Sequence, residues 1–160
     1  MPKSITNPDQ FTVIGENIHA TRVVKRGGIR GHVYEDGREA VKYTIDGDRR
    51  FLDVPDHFKS TQPYKQGSLK HFQIAMWMGT YGDANQVEAG KTYIKYEIDR
   101  QTIAGANYLD LNVDESSYRL DEQKKTMRWL VKFVGSVSTL PPSIDSSNPE
   151  IIEAGLAAYE

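Results

Sequence analysis

The sequence predicts an α/β fold organised around a parallel sheet, and three observations carry that prediction. Apolar or β-branched runs at 11–15, 107–113 and 142–145 read as short core strands. Amphipathic helical stretches at about 85–104 and 120–137 separate those runs in turn. A different, hairpin-rich pattern occupies about 26–54 and interrupts the alternation once. Strand–helix–strand succession at this spacing forms right-handed βαβ units, in which consecutive strands lie parallel.

Taken in order, "FTVIG" (11–15) is a β-branched run closed by Gly15, the pattern of a buried strand meeting a turn. Asp36-Gly37 and Asp46-Gly47 are hairpin dipeptides flanked by "GHVY", "AVKYTI" and "RRFLDV", so a three-stranded antiparallel meander is expected. Its strands mix Arg, Lys and Tyr with Val and Ile, which suggests a half-exposed ornament outside the core. Residues 55–83 open on Pro55 as an irregular stretch and turn helical through "SLKHFQIAMWM" (68–78). The next helix, about 85–104, places Val87, Ile94, Ile98 and Ile103 on one side and meets Gly105 as its stop. "NYLDLNV" (107–113) is the second core strand. In the helix at 120–137, Leu120, Met127, Leu130, Val131 and Val134 share a face. "PSID" (142–145) is the third strand, and Asn148 followed by Pro149 starts a last helix as N-cap and first helical residue.

Composition narrows the function classes. The chain has 160 residues, 38% hydrophobic and 26% charged, which suffices for one core. A net charge of −2, with Lys and Arg interspersed among Asp and Glu, supplies no basic field, so nucleic acid is not an expected partner. There are no cysteines, hence no disulfide, no thiolate metal site and no thiol nucleophile. No apolar run approaches the roughly 20 residues of a membrane span, and "MPKSITNPDQ" lacks the apolar segment of a secretion signal. A cytoplasmic location, with no membrane partner, is the expectation.

The functional signal lies at the strand ends. In parallel α/β folds ligands bind outside the carboxyl ends of the strands, where loops vary above a rigid sheet. Here Glu16 and His19 follow the first strand, Asp110 and Asn112 lie in the second, and Asp145 ends the third. In "LDLNV" the alternation sends Asp110 and Asn112 to the side opposite Leu109 and Leu111. Asp and Asn at such positions also serve local Asx turns. Their coincidence on three strands of one rim is what favours a ligand.

No metal site is expected. "DLNVDE" (110–115) opens like a calcium loop but has Glu115 where the turn requires glycine. "ENIH" (16–19) has Glu-x-x-His spacing, which needs a helix and further ligands to hold a metal. His32, His57 and His71 show no ligand spacing and are expected at or near the surface.

Together, "VIGENIH" (13–19), "RQTIAGANYLDLNV" (100–113) and "LPPSIDSSNPEIIEAGL" (140–156) resemble the pterin-binding domain family. That family comprises methyltetrahydrofolate:corrinoid methyltransferases, the folate module of cobalamin-dependent methionine synthase and, more distantly, dihydropteroate synthase. The resemblance spans 1–22 and 84–160 and leaves 23–83 as an insertion. It implies that residues 1–160 are a partial pterin-binding domain, the N-terminal part of a TIM (β/α)8 barrel with about three βα units and the meander inserted. By the same resemblance Asp145 binds the pterin ring, Asp110 and Asn112 line the same mouth, and Glu16 is the glutamate after the first strand. Asn17 and His19 depart from the family pattern, which has Arg and Asn there, and Pro142 replaces an apolar strand residue.

The implied activity is methyl transfer from a tetrahydrofolate derivative to a cobalamin or other corrinoid on a partner protein or domain. The implied catalytic residue is unassigned. The family residues that complete the pterin pocket fall beyond Glu160, so independent activity of these 160 residues is not expected. Two alternatives accompany this reading: a dihydropteroate-synthase-like condensation, or an inactive fragment whose exposed sheet edge associates with a partner or with itself as a homo-oligomer.

Overall fold

Leu109, Leu111 and Val113 alternate with Asp110 and Asn112, and that alternation places the sheet. All three apolar side chains are fully buried, each worth about 2 kcal/mol of transfer free energy. The structure is a computed structural model that describes residues 11–159. The polar N-terminal segment 1–10, expected to lack a secretion signal, lies outside the described residues.

In chain order the elements are β1 (Ile14–His19), β2 (Val24–Lys25), β3 (Gly31–Val33), β4 (Glu39–Ile45) and β5 (Asp48–Asp53). A 3-10 turn (Asp56–Ser60), α1 (Gln62–Lys65), β6 (Ser68–Leu69), α2 (His71–Tyr81) and α3 (Ala84–Ile103) follow. The chain then runs through β7 (Tyr108–Asn112), α4 (Leu120–Val137), β8 (Pro142–Asp145) and α5 (Pro149–Leu156). β1, β7 and β8 form a parallel sheet in the order β1-β7-β8, β2 pairs with β6, and β3-β4-β5 is the antiparallel meander.

This arrangement corrects the expected partial TIM barrel. A barrel closes when its sheet returns on itself with a consistent tilt and stagger. Among the described residues the parallel sheet has three strands and two open edges, β1 and β8. The fold is a mixed α/β assembly of small sheets and five helices, and the meander expected from the hairpin dipeptides is present.

Local signals explain most of the helices. Asp83 caps α3 in a reciprocal box: its side chain accepts from the Gln86 amide while the Gln86 side chain accepts from the Asp83 amide. Gly105, at φ 89°, follows the end of α3. Asn148 caps α5 by accepting from the Glu150 amide at 2.9 Å. No described helix is long and apolar enough to cross a membrane.

Three expectations fail for tertiary reasons. Gly15 does not end a strand: β1 begins at Ile14 and runs through it to His19, so Glu16 and His19 lie within the strand. The Gln101 side chain of α3 lies over it: a Cβ would stand 1.9 Å from Gln101 Oε1, so a larger residue would push that side chain aside. The meander is no ornament either. Val41 and Leu52 are fully buried, and with Tyr43 and Val54 they join the same hydrophobic cluster as Ile18, Leu109 and Leu130. His71, finally, is buried rather than superficial, at 6% exposure.

Candidate functional site

Parallel register sets the site. His19 on β1, Asn112 on β7 and Asp145 on β8 are direct partners across the sheet, so one lateral row crosses all three strands at their carboxyl ends. A bulge in β1 makes this possible: between the pairs Gly15–Leu109 and Ile18–Leu111, two residues of β1 face the single Asp110. Without that extra residue His19 would fall out of step with Asn112 and point to the other face.

The row is bonded together. The Asn112 side-chain amide donates to Asp145 Oδ2 at 2.8 Å, while Asn112 Oδ1 accepts the Asp114 backbone amide at 3.0 Å. His19 Nε2 stands 3.8 Å from Asp145 Oδ2. Asp110, one pleat below and opposite Ser143, offers a carboxylate oxygen that lies within 4.8 Å of ligand atoms of both His19 and Asp145. Asp110, Asn112 and Asp145 are thus brought together, and His19 joins them. Glu16 is not part of this group; it is exposed and paired with Arg22 at 3.6 Å.

The electrostatics divide the carboxylates. Burial, reinforced by the negative charge of Asp145, pushes the Asp110 carboxyl above its ordinary value, against the opposing pull of the Ser143 hydroxyl and His19. For Asp114 burial acts in the same upward sense but loses. Hydrogen bonds from the Ser146 and Ser147 side chains and the Ser147 amide hold Asp114 below the usual carboxylate range. Asp114 thereby ties the β7 end to the loop before α5, which fixes Asp145 from behind.

His19, Asp110 and Asp145 are the described residues that could gather around a cation. The imidazole is set the wrong way for it. His19 Nδ1 accepts the Thr21 backbone amide at 3.3 Å and lies 2.6 Å from the Thr21 hydroxyl, so the ring hydrogen of neutral His19 sits on Nε2. That atom stands 3.8 Å from Asp145 Oδ2, beyond hydrogen-bond distance, and a metal on it would require the other tautomer and loss of the amide bond.

Two contributors escape the sequence. Asp114 reads there only as part of a failed calcium loop, although the hydroxyl pair Ser146-Ser147 before the α5 cap hints at a carboxylate partner. The alignment of His19 depends on the bulge, for which Gly15 is the single local sign. A cavity of about 570 Å³ lies away from this row, between the β4–β5 turn and the outer faces of α3 and α4. No protein-family model matches the sequence.

Proposed function

We propose that the strand-end row binds a pterin, as the folate site of a methyltetrahydrofolate-dependent methyltransferase acting on a corrinoid carried by a partner. The observation that supports this most is the placement of Asp110, Asn112 and Asp145 on one rim, two of them bonded to each other. A pterin edge presents a ring N–H beside an amino group, and an ionised carboxylate accepts both in parallel. Asp145, half-exposed and oriented by Asn112, is the acceptor in this reading.

Asp110 has the complementary task. Its carboxyl retains a proton more readily than an ordinary aspartate, so it can share that proton with a ring nitrogen as the N5–methyl bond breaks and the electron pair stays on N5. Positioned acid assistance of this kind is worth about 10²–10⁴-fold. The methyl group leaves for the corrinoid acceptor; no residue of this chain is alkylated. The Asn112 amide keeps the Asp145 carboxylate in place, with the His19 ring flanking it.

Isothermal titration of the full-length protein with tetrahydrofolate tests the reading. The wild type should bind saturably, and Asp145→Asn should weaken binding roughly 100-fold, as two hydrogen bonds to a charged group are each worth about 1.5 kcal/mol. Circular dichroism of the variant should be unchanged because Asp145 is an exposed residue at a strand end. Absence of wild-type binding, or an unaltered affinity in the variant, would remove the pterin assignment.

A further inference from the structure

A second polar site lies where the segment 23–83 meets the sheet, with Arg30 and His71 outside the stretches that resemble pterin-binding motifs. It is a cavity of about 210 Å³ between the β1 bulge, the start of α2 and the later turns of α3. Three guanidinium groups line it: Arg22, Arg30 and Arg100. Two have acidic partners, Arg22 with Glu16 at 3.6 Å and Arg100 with Glu97 at 2.9 Å. Arg30 forms no ion pair among the described residues. Its guanidinium donates to the hydroxyl of Tyr93, a fully buried residue.

The direction of each hydrogen bond follows from that contact. A guanidinium can only donate, so the Tyr93 oxygen accepts from Arg30, and among the described residues the Tyr93 hydrogen finds its acceptor in His71 Nδ1, 2.9 Å away. His71 Nδ1 is therefore an acceptor, and the ring hydrogen must sit on Nε2. The ring is also neutral: burial first, then the charges of Arg30 and Arg22, push His71 down to about 3. His71 lines the cavity, is 6% exposed, and its Nε2–H meets no acceptor among the described residues.

The acceptor side of the cavity is already used up. Glu97, 2% exposed, accepts the Asn17 amide at 2.9 Å and Arg100 through its two oxygens. What is left is a surplus positive charge on Arg30, with the neutral His71 ring on the same cavity lining. A guanidinium fork matches the paired oxygens of an oxyanion. We infer that this cavity binds the oxyanion group of a small ligand, a phosphate or a carboxylate, on the Arg30 guanidinium. The segment 23–83 then contributes a binding function of its own, because Arg30 and His71 both belong to it.

The test uses the whole chain, titrated separately with inorganic phosphate and with acetate at constant ionic strength, and does not involve folate. Saturable binding of either anion is expected, with a change in the nitrogen-15 and proton shifts of His71 Nε2–H. Arg30→Gln should weaken that binding at least about tenfold, a loss of about 1.4 kcal/mol. Arg30→Lys should recover only part of it, as an ammonium keeps the charge but not the fork. Lys95→Gln, an exposed cation paired with Asp99, should bind like the wild type. Tighter phosphate binding would identify a phosphoryl ligand, and tighter acetate binding a carboxylate. No saturable binding, an equal loss in Lys95→Gln, or a His71 resonance that does not respond to either anion would overturn the inference; the last decides it even if the Arg30 variants fold poorly.

Discussion

The two polar sites of this chain are opposite in sign and in construction. The strand-end row gathers two carboxylates, an amide and an imidazole from three neighbouring strands, and sheet register alone lines them up. The arginine cavity collects its groups from a loop, a helix start and a helix middle, and a chain of hydrogen bonds orients them. In the first, backbone pairing fixes positions, with Asp110 and Asn112 buried and Asp145 open to water. In the second, burial fixes protonation and tautomer, and the backbone merely brings the groups within reach. A histidine takes part in each, and the contrast is sharp: His19 accepts a backbone amide beside a carboxylate, His71 accepts a tyrosine hydroxyl beside a guanidinium.

That contrast is open to direct attack. The largest effect should come from acid. The folded-state value of His71 lies near 3, far below its ordinary 6.5, so the unfolded chain takes up a proton that the folded chain refuses. Stability from this group is complete above 6.5 and falls steadily as the pH drops toward 3, on the order of 5 kcal/mol in all. Urea unfolding across that range should show the slope, and His71→Gln should lose most of it.

A smaller loss should follow from Tyr93→Phe. Removing the hydroxyl leaves His71 Nδ1 and an Arg30 donor without their partner, at about 1–3 kcal/mol, which a urea midpoint shift would register. It should leave tetrahydrofolate affinity untouched if the two sites are separate; a parallel loss would merge them. The smallest effect, of opposite sign, belongs to the strand-end row. Because the folded-state value of Asp110 is raised, its penalty is absent below the ordinary carboxylate range and develops as the pH rises through the folded value. Asp110→Asn should therefore raise the melting temperature at neutral pH and leave it unchanged in acid. A drop at neutral pH would mean that the Asp110 charge is stabilising, contrary to its surroundings.

How much was legible in the sequence depends on the range of the interaction. The α5 start follows from Asn148 and Pro149, the meander turns from two Asp-Gly pairs, and the α4 face from its i, i+3, i+4 pattern, because each is settled within a few residues. The shared side of Asp110 and Asn112 is likewise local, a matter of strand alternation. Gly15 misleads for the converse reason: it reads as a turn, yet its lack of a side chain serves Gln101, far along the chain on α3. The meander misleads too, since its Arg- and Lys-rich outer face masks an inner face whose Val41 and Leu52 reach the common core. The expectation of a barrel rested on motif likeness, and the described sheet is open at both edges.

Local rules of capping, turn geometry and alternation were written in the amino-acid order, and they determined which segments would become helices and strands and which face of β7 would be polar. Only the tertiary structure decided that His19 would stand in line with Asn112 and Asp145, and that His71 would be sealed in beside Arg30. Both outcomes depend on a bulge and on contacts between residues tens of positions apart, whose free energies exist only once the chain has packed.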